Sequence, residues 1–179
     1  MKTIRYIGYC CALLFPIYVH ADECRVAHRP AIRAATNLNP GFLIVKLADL
    51  ASDDQQLILG NRTLKNNACV GVVSGRFVSS AISTAVLLRQ DVPGSTDKRF
   101  RLVTISGAAK QSEVLSWSSN KTPILRSLIR GAHRVLDATN GNSKKVRFEH
   151  DAIVVETIEA SSVALVWNGS RFVEFSLSI

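Results

Sequence analysis

Between Lys145 and Leu177 four β-rich segments follow one another, at residues 145–149, 152–158, 162–167 and 171–177, with almost no chain between them. Valine, isoleucine and phenylalanine fill them, residue types that suit a pleated, half-buried surface. Val163, Leu165 and Trp167 alternate along the third segment, and Phe172 and Phe175 follow beyond Asn168-Gly169. Asn-Gly between alternating segments predicts a hairpin closed by a type I′ turn, because both residues tolerate positive φ. Short strands with tight returns build an antiparallel sheet, expected here to be covered on one face. The expected class is therefore α+β: mainly antiparallel β-sheet, with short N-terminal helices and a C-terminal β-hairpin.

The upstream half supplies the helices and more strands. Residues 28–36 read as a short helix with Pro30 in its first turn, where a missing N–H costs nothing. Gly41 precedes the apolar run Phe42-Leu43-Ile44-Val45, short enough for a buried strand. A second helix is expected from Ser52, a good N-cap with Asp53 and Asp54 in the first turn and Gln55 three residues on, to a stop at Gly60-Asn61. Strands are expected at 70–73, 81–88, 100–105 and 113–117; the third alternates well and ends at Gly107. The stretch 123–136 stays open between helix and strand. Ile124, Leu125, Leu128 and Ile129 fall at helical spacing, yet Gly131 interrupts them.

The first residues carry an address. Lys2 and Arg5 precede an apolar run from Ile7 to Val19, and Val19-His20-Ala21 offers a signal peptidase its small residues. This is the layout of a secretory signal peptide spanning residues 1–21. The run is short for a membrane span; the alternative is an uncleaved N-terminal anchor. A mature chain of residues 22–179 is long enough for one domain with a real core. No linker, fixed-period repeat or low-complexity tract divides it, so a single β-rich domain is expected. The compartment is then periplasmic or secreted. Cys10 and Cys11 leave with the signal, and Cys24 and Cys69 remain. In an oxidising compartment these most simply form one disulfide, contributing about 4 kcal/mol by the chain-entropy argument. Two free buried thiols are the alternative.

Charge points to a class of partner. Loss of Lys2 and Arg5, with no acid lost, takes the formal charge from +8 to +6. Such a domain is drawn to an acidic protein or an anionic envelope polymer. The same charge also keeps an exported protein soluble. Basic residues are scattered and no stripe mixes them with aromatics, which speaks against nucleic acid.

Two segments carry a family resemblance. Cys69-Val70-Gly71-Val72-Val73-Ser74-Gly75-Arg76-Phe77 runs into Ala85-Val86-Leu87-Leu88, and Asp151-Ala152-Ile153 leads through Glu159-Ala160-Ser161-Ser162 to Val166-Trp167-Asn168-Gly169. Together they resemble small secreted bacterial proteins with a divergent FG-GAP or VCBS-like segment. That resemblance covers about a third of the chain and implies a binding or adhesion module, with an apolar strand after the loop and a terminal hairpin. The family's loop binds calcium through carboxylate and backbone oxygens. Here Arg76 stands where that pattern has its first Asp, and no acid follows before Asp91. Calcium needs several hard oxygens close together, so no metal ligand is carried over and no cofactor is expected.

Catalytic constellations are sparse. His28, His133 and His150 share no metal-like spacing. Gly71-Val72-Val73-Ser74-Gly75 has its serine one residue late for a nucleophile elbow, and His150-Asp151 reads better as a polar turn than as part of a triad. Gly71 to Gly75 lacks the Lys-Ser/Thr ending of a phosphate loop. Glu149, Asp151, Glu156 and Glu159 are the densest carboxylates. Alternation puts Glu149 and Asp151 on one strand face, the minimum for a glycosidase pair; solvated charge is the plainer reading. Asn61, Asn120 and Asn168 begin glycosylation sequons, a match that arises readily by chance. Trp117, Trp167, Arg171 and Phe172 are the candidate binding residues, with a core role as the competing reading. The expectation is an exported, non-enzymatic binding protein acting on an envelope component or another exported protein, in the manner of an inhibitor or immunity protein. The alternative is a small cell-wall hydrolase using carboxylates near Glu149 and Asp151.

Overall fold

A computed structural model describes residues 23–60, 69–107, 110–137 and 141–177, with side chains from residue 28. Residues 1–21, expected to be the signal peptide, lie outside it, as does the Asn61 sequon. The described chain is β-rich and antiparallel, with two α-helices.

Its centre is a long antiparallel pair, β3 (Ser83–Asp91) and β4 (Lys98–Ser106), in register from Ser83 opposite Ser106 to Asp91 opposite Lys98. β5 (Lys110–Ser119) adds to β4 and forms one edge of this first sheet. It carries a bulge: Leu102 faces Leu115 and Val103 faces Glu113, leaving Val114 as the extra residue. Along the other side of β3 run two short strands, β1 (Leu43–Ile44) and β2 (Val72–Gly75). Between them Leu87 donates its N–H to the Gly71 carbonyl at 2.8 Å, and its carbonyl accepts the Val45 N–H at 3.0 Å. Gly71 must be glycine, because a Cβ there would collide with the Val45 carbonyl.

The second sheet has the order β11-β10-β9-β6, from β6 (Ile124–Leu128), β9 (Ala152–Thr157), β10 (Ser161–Trp167) and β11 (Phe172–Ser176). A hydrogen bond from Leu125 N–H to the Val70 carbonyl (2.6 Å) stitches the two sheets together. A separate hairpin of β7 (Gly131–Leu136) and β8 (Ser143–Phe148) is tied to the end of β11 by a bridge between Val135 and Leu177.

These pieces stack in four layers. Helix α1 (Glu23–Leu38) lies on the outer face of the first sheet, where Ala31, Ile32 and Ala35 meet Val72, Val86, Leu88, Val103 and Ile105. The inner faces of both sheets share the main core, including Ala85, Leu87, Phe100 and Leu102 from one and Leu125, Ile153 and Leu165 from the other. Phe77 plugs this core from the loop after β2; Gly75 leaves room for its ring, which a Cβ there would meet at 2.6 Å. Helix α2 (Ser52–Gly60) adds Ile58 to the same core. Outside the second sheet the β7–β8 hairpin buries Val135 and Phe148 against Ala152, Val154, Ala164 and Val166. Both sheets are thus covered on both faces along much of their length, where one covered face was expected. That is why Ala85-Val86-Leu87-Leu88 and Ala152-Ile153-Val154 are continuous apolar runs: strands with two dry faces do not alternate.

The structure corrects several local readings. α1 is longer than 28–36, so Pro30 lies inside it. An interior proline removes one helical hydrogen bond, a cost of about 3 kcal/mol set against burial of the helix on the sheet. Residues 123–136 form two strands, β6 and β7, with Gly131 at φ 145° where they part. The apolar spacing that looked helical comes from one strand and its exit: Ile124, Leu125 and Leu128 belong to β6 and Ile129 to the connection that follows. The turn after β10 is a four-residue loop from Asn168 to Arg171. Gly169 has φ 99°, while Glu159 is the only described non-glycine residue at positive φ, so the type I′ turn is not formed. Instead the Asn168 side-chain oxygen accepts the Ser170 and Arg171 N–H groups (3.1 and 3.0 Å) and the Ser170 hydroxyl (3.0 Å). A local Asn cap competes with a tight turn, and here it wins.

Candidate functional site

α1 covers only part of the outer face of the first sheet. Beyond its C-terminal end an open depression of about 400 Å³ is lined by Phe42, Gln90, Arg99, Arg101, Ser116, Trp117 and Ser118. Strand register builds it. Gln90, Arg99 and Ser118 form one cross-strand row, and Leu88, Arg101 and Ser116 the next. The alternation Arg99-Phe100-Arg101-Leu102 sends both arginines outward while Phe100 and Leu102 enter the core. Ser116-Trp117-Ser118 repeats the device on β5: Trp117 turns inward and stacks on Phe100, with ring centroids 5.5 Å apart.

Arg101 is held from several sides. Its guanidinium lies 4.7 Å from the centre of the Phe42 ring, a cation–π arrangement. Its Nη1 donates to Asn39 Oδ1 at 2.7 Å, and its Nε is 3.4 Å from the Glu113 carboxylate. That Nε has no hydrogen-bond partner among the described residues. Asn39, only 2 % exposed, is fixed in turn by its Nδ2, which donates to the Ala35 carbonyl (2.6 Å) and to Gln111 Oε1 (3.0 Å). A buried amide at the end of α1 therefore aims an arginine of β4. Arg99 is exposed and joins none of the ion pairs among the described residues. Two guanidiniums on alternate residues of one strand sit about 7 Å apart at their Cα atoms. With serines beside it, Arg99 suits planar, bidentate binding of carboxylate or phosphate, and Arg101, whose Nη1 and Nε face Asn39 and Glu113, adds positive charge alongside.

The residues singled out from sequence fall in two places. Trp117 is among the residues at this depression, but its ring lies on the inner face against Phe100. Trp167 and Phe172 flank the β10–β11 loop, edge to face at 5.4 Å, with Phe172 packed against the main core and Arg171 exposed between them. Arg99, Arg101, Gln90 and Phe42 were missed. The signal was present in the strict alternation of residues 99–102, which puts two cations on one face.

Two of the aspartates, Asp151 and Asp49, serve the fold. Asp151 Oδ2 accepts the Arg76 N–H at 2.8 Å and Oδ1 the Arg130 N–H at 3.0 Å, so one side chain clamps two loops. Burial pushes its carboxyl up, but those amides and the charges of Arg76 and Arg130 outweigh it, and the group lies below the ordinary aspartate range. A glycosidase acid needs the opposite shift, since it must hold a proton. Glu149 is 77 % exposed on its side chain, 3.6 Å from Arg147 Nε. Asp49 follows the same logic as Asp151. Burial raises it, Arg89 at 2.8 Å and the Lys46 N–H lower it, and the net shift is downward. His28 meets the Ser74 hydroxyl at 3.5 Å, and His133 packs on Phe148 with its Nε2 2.7 Å from the Ile129 carbonyl. Among the described residues no His, Cys, Asp or Glu cluster is suited to hold a metal, and no helix is long and apolar enough to cross a membrane. Cys69 is disulfide-bonded, while the Cys24 side chain lies outside the described residues.

No protein-family model, curated protein or solved structure matches this chain.

Proposed function

We propose that this chain is an exported, non-enzymatic binding protein whose ligand presents carboxylates, either on another exported protein or on an envelope polymer. The observation that carries the reading is the Arg99–Arg101 pair beside small serines: Arg99 is exposed and outside the ion pairs of the described residues, and half-buried Arg101 is held by Phe42, Asn39 and Glu113. An arginine already locked by a buried amide has lost its side-chain freedom before a ligand arrives, which is the advantage of a prepared site. Export rests on the leader-like residues 1–21, and the oxidising compartment accommodates a bond between Cys24 and Cys69. A binding role of this kind, inhibitor-like or immunity-like, requires no catalytic group.

The test is calorimetric titration of the exported chain with a short oligoglutamate, beside the Arg99→Ser/Arg101→Ser variant. The expected result is saturable binding that weakens about tenfold or more in the variant and falls with added salt. Equal affinity in both proteins contradicts the reading. N-terminal sequencing of protein recovered outside the cytoplasm is expected to begin at Asp22; a chain that still begins at Met1 contradicts export by cleavage.

A further inference from the structure

The edges of the two sheets are not treated alike. β6 is tied through Leu125 to Val70, and β11 continues into the bridge from Leu177 to Val135. β5 pairs with β4 and with no other described strand. An exposed edge strand is a template for another strand, and proteins blunt such edges with bulges and charges. On β5 these defences occupy one half only. The Val114 bulge, Lys110 and Glu113 guard the first half, whereas Leu115 to Ser119 is regular and carries no charge. That bare half is the one that borders Arg99 and Arg101.

We infer that the unguarded half of β5 receives an extended acidic segment of a partner protein as an added strand, an inference that rests on the anion-binding reading above. Strand geometry sets the pattern of that segment. A strand beside β5 lies about 10 Å from β4, a gap that an arginine and a glutamate side chain span together across the small Ser116 and Ser118. Residues opposite those serines on the arginine face carry carboxylates. The residue between them faces the other way, toward the half-buried Trp117, and is apolar. The partner signature is thus acid, apolar, acid in extended backbone, with main-chain hydrogen bonds giving affinity and the arginines giving selectivity.

Titration followed by NMR tests this with the exported chain and a short peptide alternating glutamate and valine. Controls are an isomer with the glutamates adjacent and two forms N-methylated on alternate sets of amides. The alternating peptide is expected to bind about tenfold or more tightly than the isomer. Methylation of one set of amides is expected to abolish binding and methylation of the other to leave it intact, because alternate amides of an edge-paired strand point away from the sheet. Indifference to methylation and to glutamate order, with binding still lost in Arg99→Ser/Arg101→Ser, overturns strand addition and leaves the anion site standing. Binding unaffected by the arginine substitutions overturns both. Self-association of the chain through β5, read as a dimer by sedimentation that the peptide does not dissolve, overturns the proposal as well.

Discussion

The outer faces of the two sheets began with the same problem and solved it differently. The second sheet is sealed: Phe148 and Val135 of the β7–β8 hairpin pack on Ala152, Val154, Ala164 and Val166, with Phe175 closing the side. The first sheet is sealed only under α1, and past Asn39 its surface passes from valine and isoleucine to arginine, glutamine and serine. A face buried by its own chain supplies stability, and the face that α1 leaves open is the one proposed to bind. The difference lies both in what covers each sheet and in the strands: Ala152, Val154, Ala164 and Val166 face the hairpin, whereas Gln90, Arg99, Arg101, Ser116 and Ser118 line the open depression.

Substitutions on the two faces are expected to separate stability from binding. The largest effect is expected on the sealed side. Phe148, 2 % exposed, touches both His133 and Phe175, and Phe148→Ala is expected to cost about 3–5 kcal/mol in urea unfolding while leaving oligoglutamate affinity unchanged. Asn39→Ala sits on the boundary. It removes the bonds to Ala35, Gln111 and Arg101, so a loss of about 2–3 kcal/mol is expected together with weaker binding. Loss of stability without loss of affinity would detach Asn39 from the site.

A smaller effect comes from the loops outside both faces. Asp49 and Asp151 titrate lower in the folded chain than when unfolded, where an aspartate lies near about 3.9. Their stabilisation is complete above that value and is lost as pH falls through the lowered folded one. Urea unfolding below about pH 4 is therefore expected to show stability declining with acid. Asp151→Asn is expected to flatten that decline and to cost about 1–2 kcal/mol at neutral pH, by spoiling one of two amide contacts. An unchanged acid slope would remove Asp151 as a loop clamp. The smallest stability change is expected at the open site: Arg99→Ser, an exposed side chain outside the ion pairs, should stay within about 0.5 kcal/mol of wild type.

How much of this was readable from residues alone follows from the same division. The strands of the C-terminal half were legible because alternation and turn residues act locally. Helix Ser52–Gly60 was legible from Asp53 and Asp54 in its first turn and Gly60 at its end. Ser52 is not its cap, however: it is the first helical residue, its hydroxyl meets Asp53, and the Ala51 carbonyl accepts the Gln55 N–H. The two-sided burial of the sheets was not, since an apolar run such as 85–88 does not say how many layers will cover it. Nor was the split of 123–136 at Gly131, because apolar residues on both faces of β6, with Ile129 in the connection after it, reproduce helical spacing. Trp117 was found by its type, but Arg99 and Arg101 looked like scattered charge. They become a candidate site through partners far along the chain: Phe42 and Asn39 at one end of α1, and serines across a strand pair. The Asn168 loop misled for the opposite reason, as a side chain captured amides that a tight turn would have left to the backbone.

The most direct measurement is a map of amide chemical-shift changes in the labelled chain as oligoglutamate is added. This account predicts that the changes concentrate at Gln90, Arg99, Arg101, Ser116 and Ser118 and are small across β7 and β8. Changes centred on the Trp167–Phe172 loop, or spread evenly over the basic surface, would contradict it.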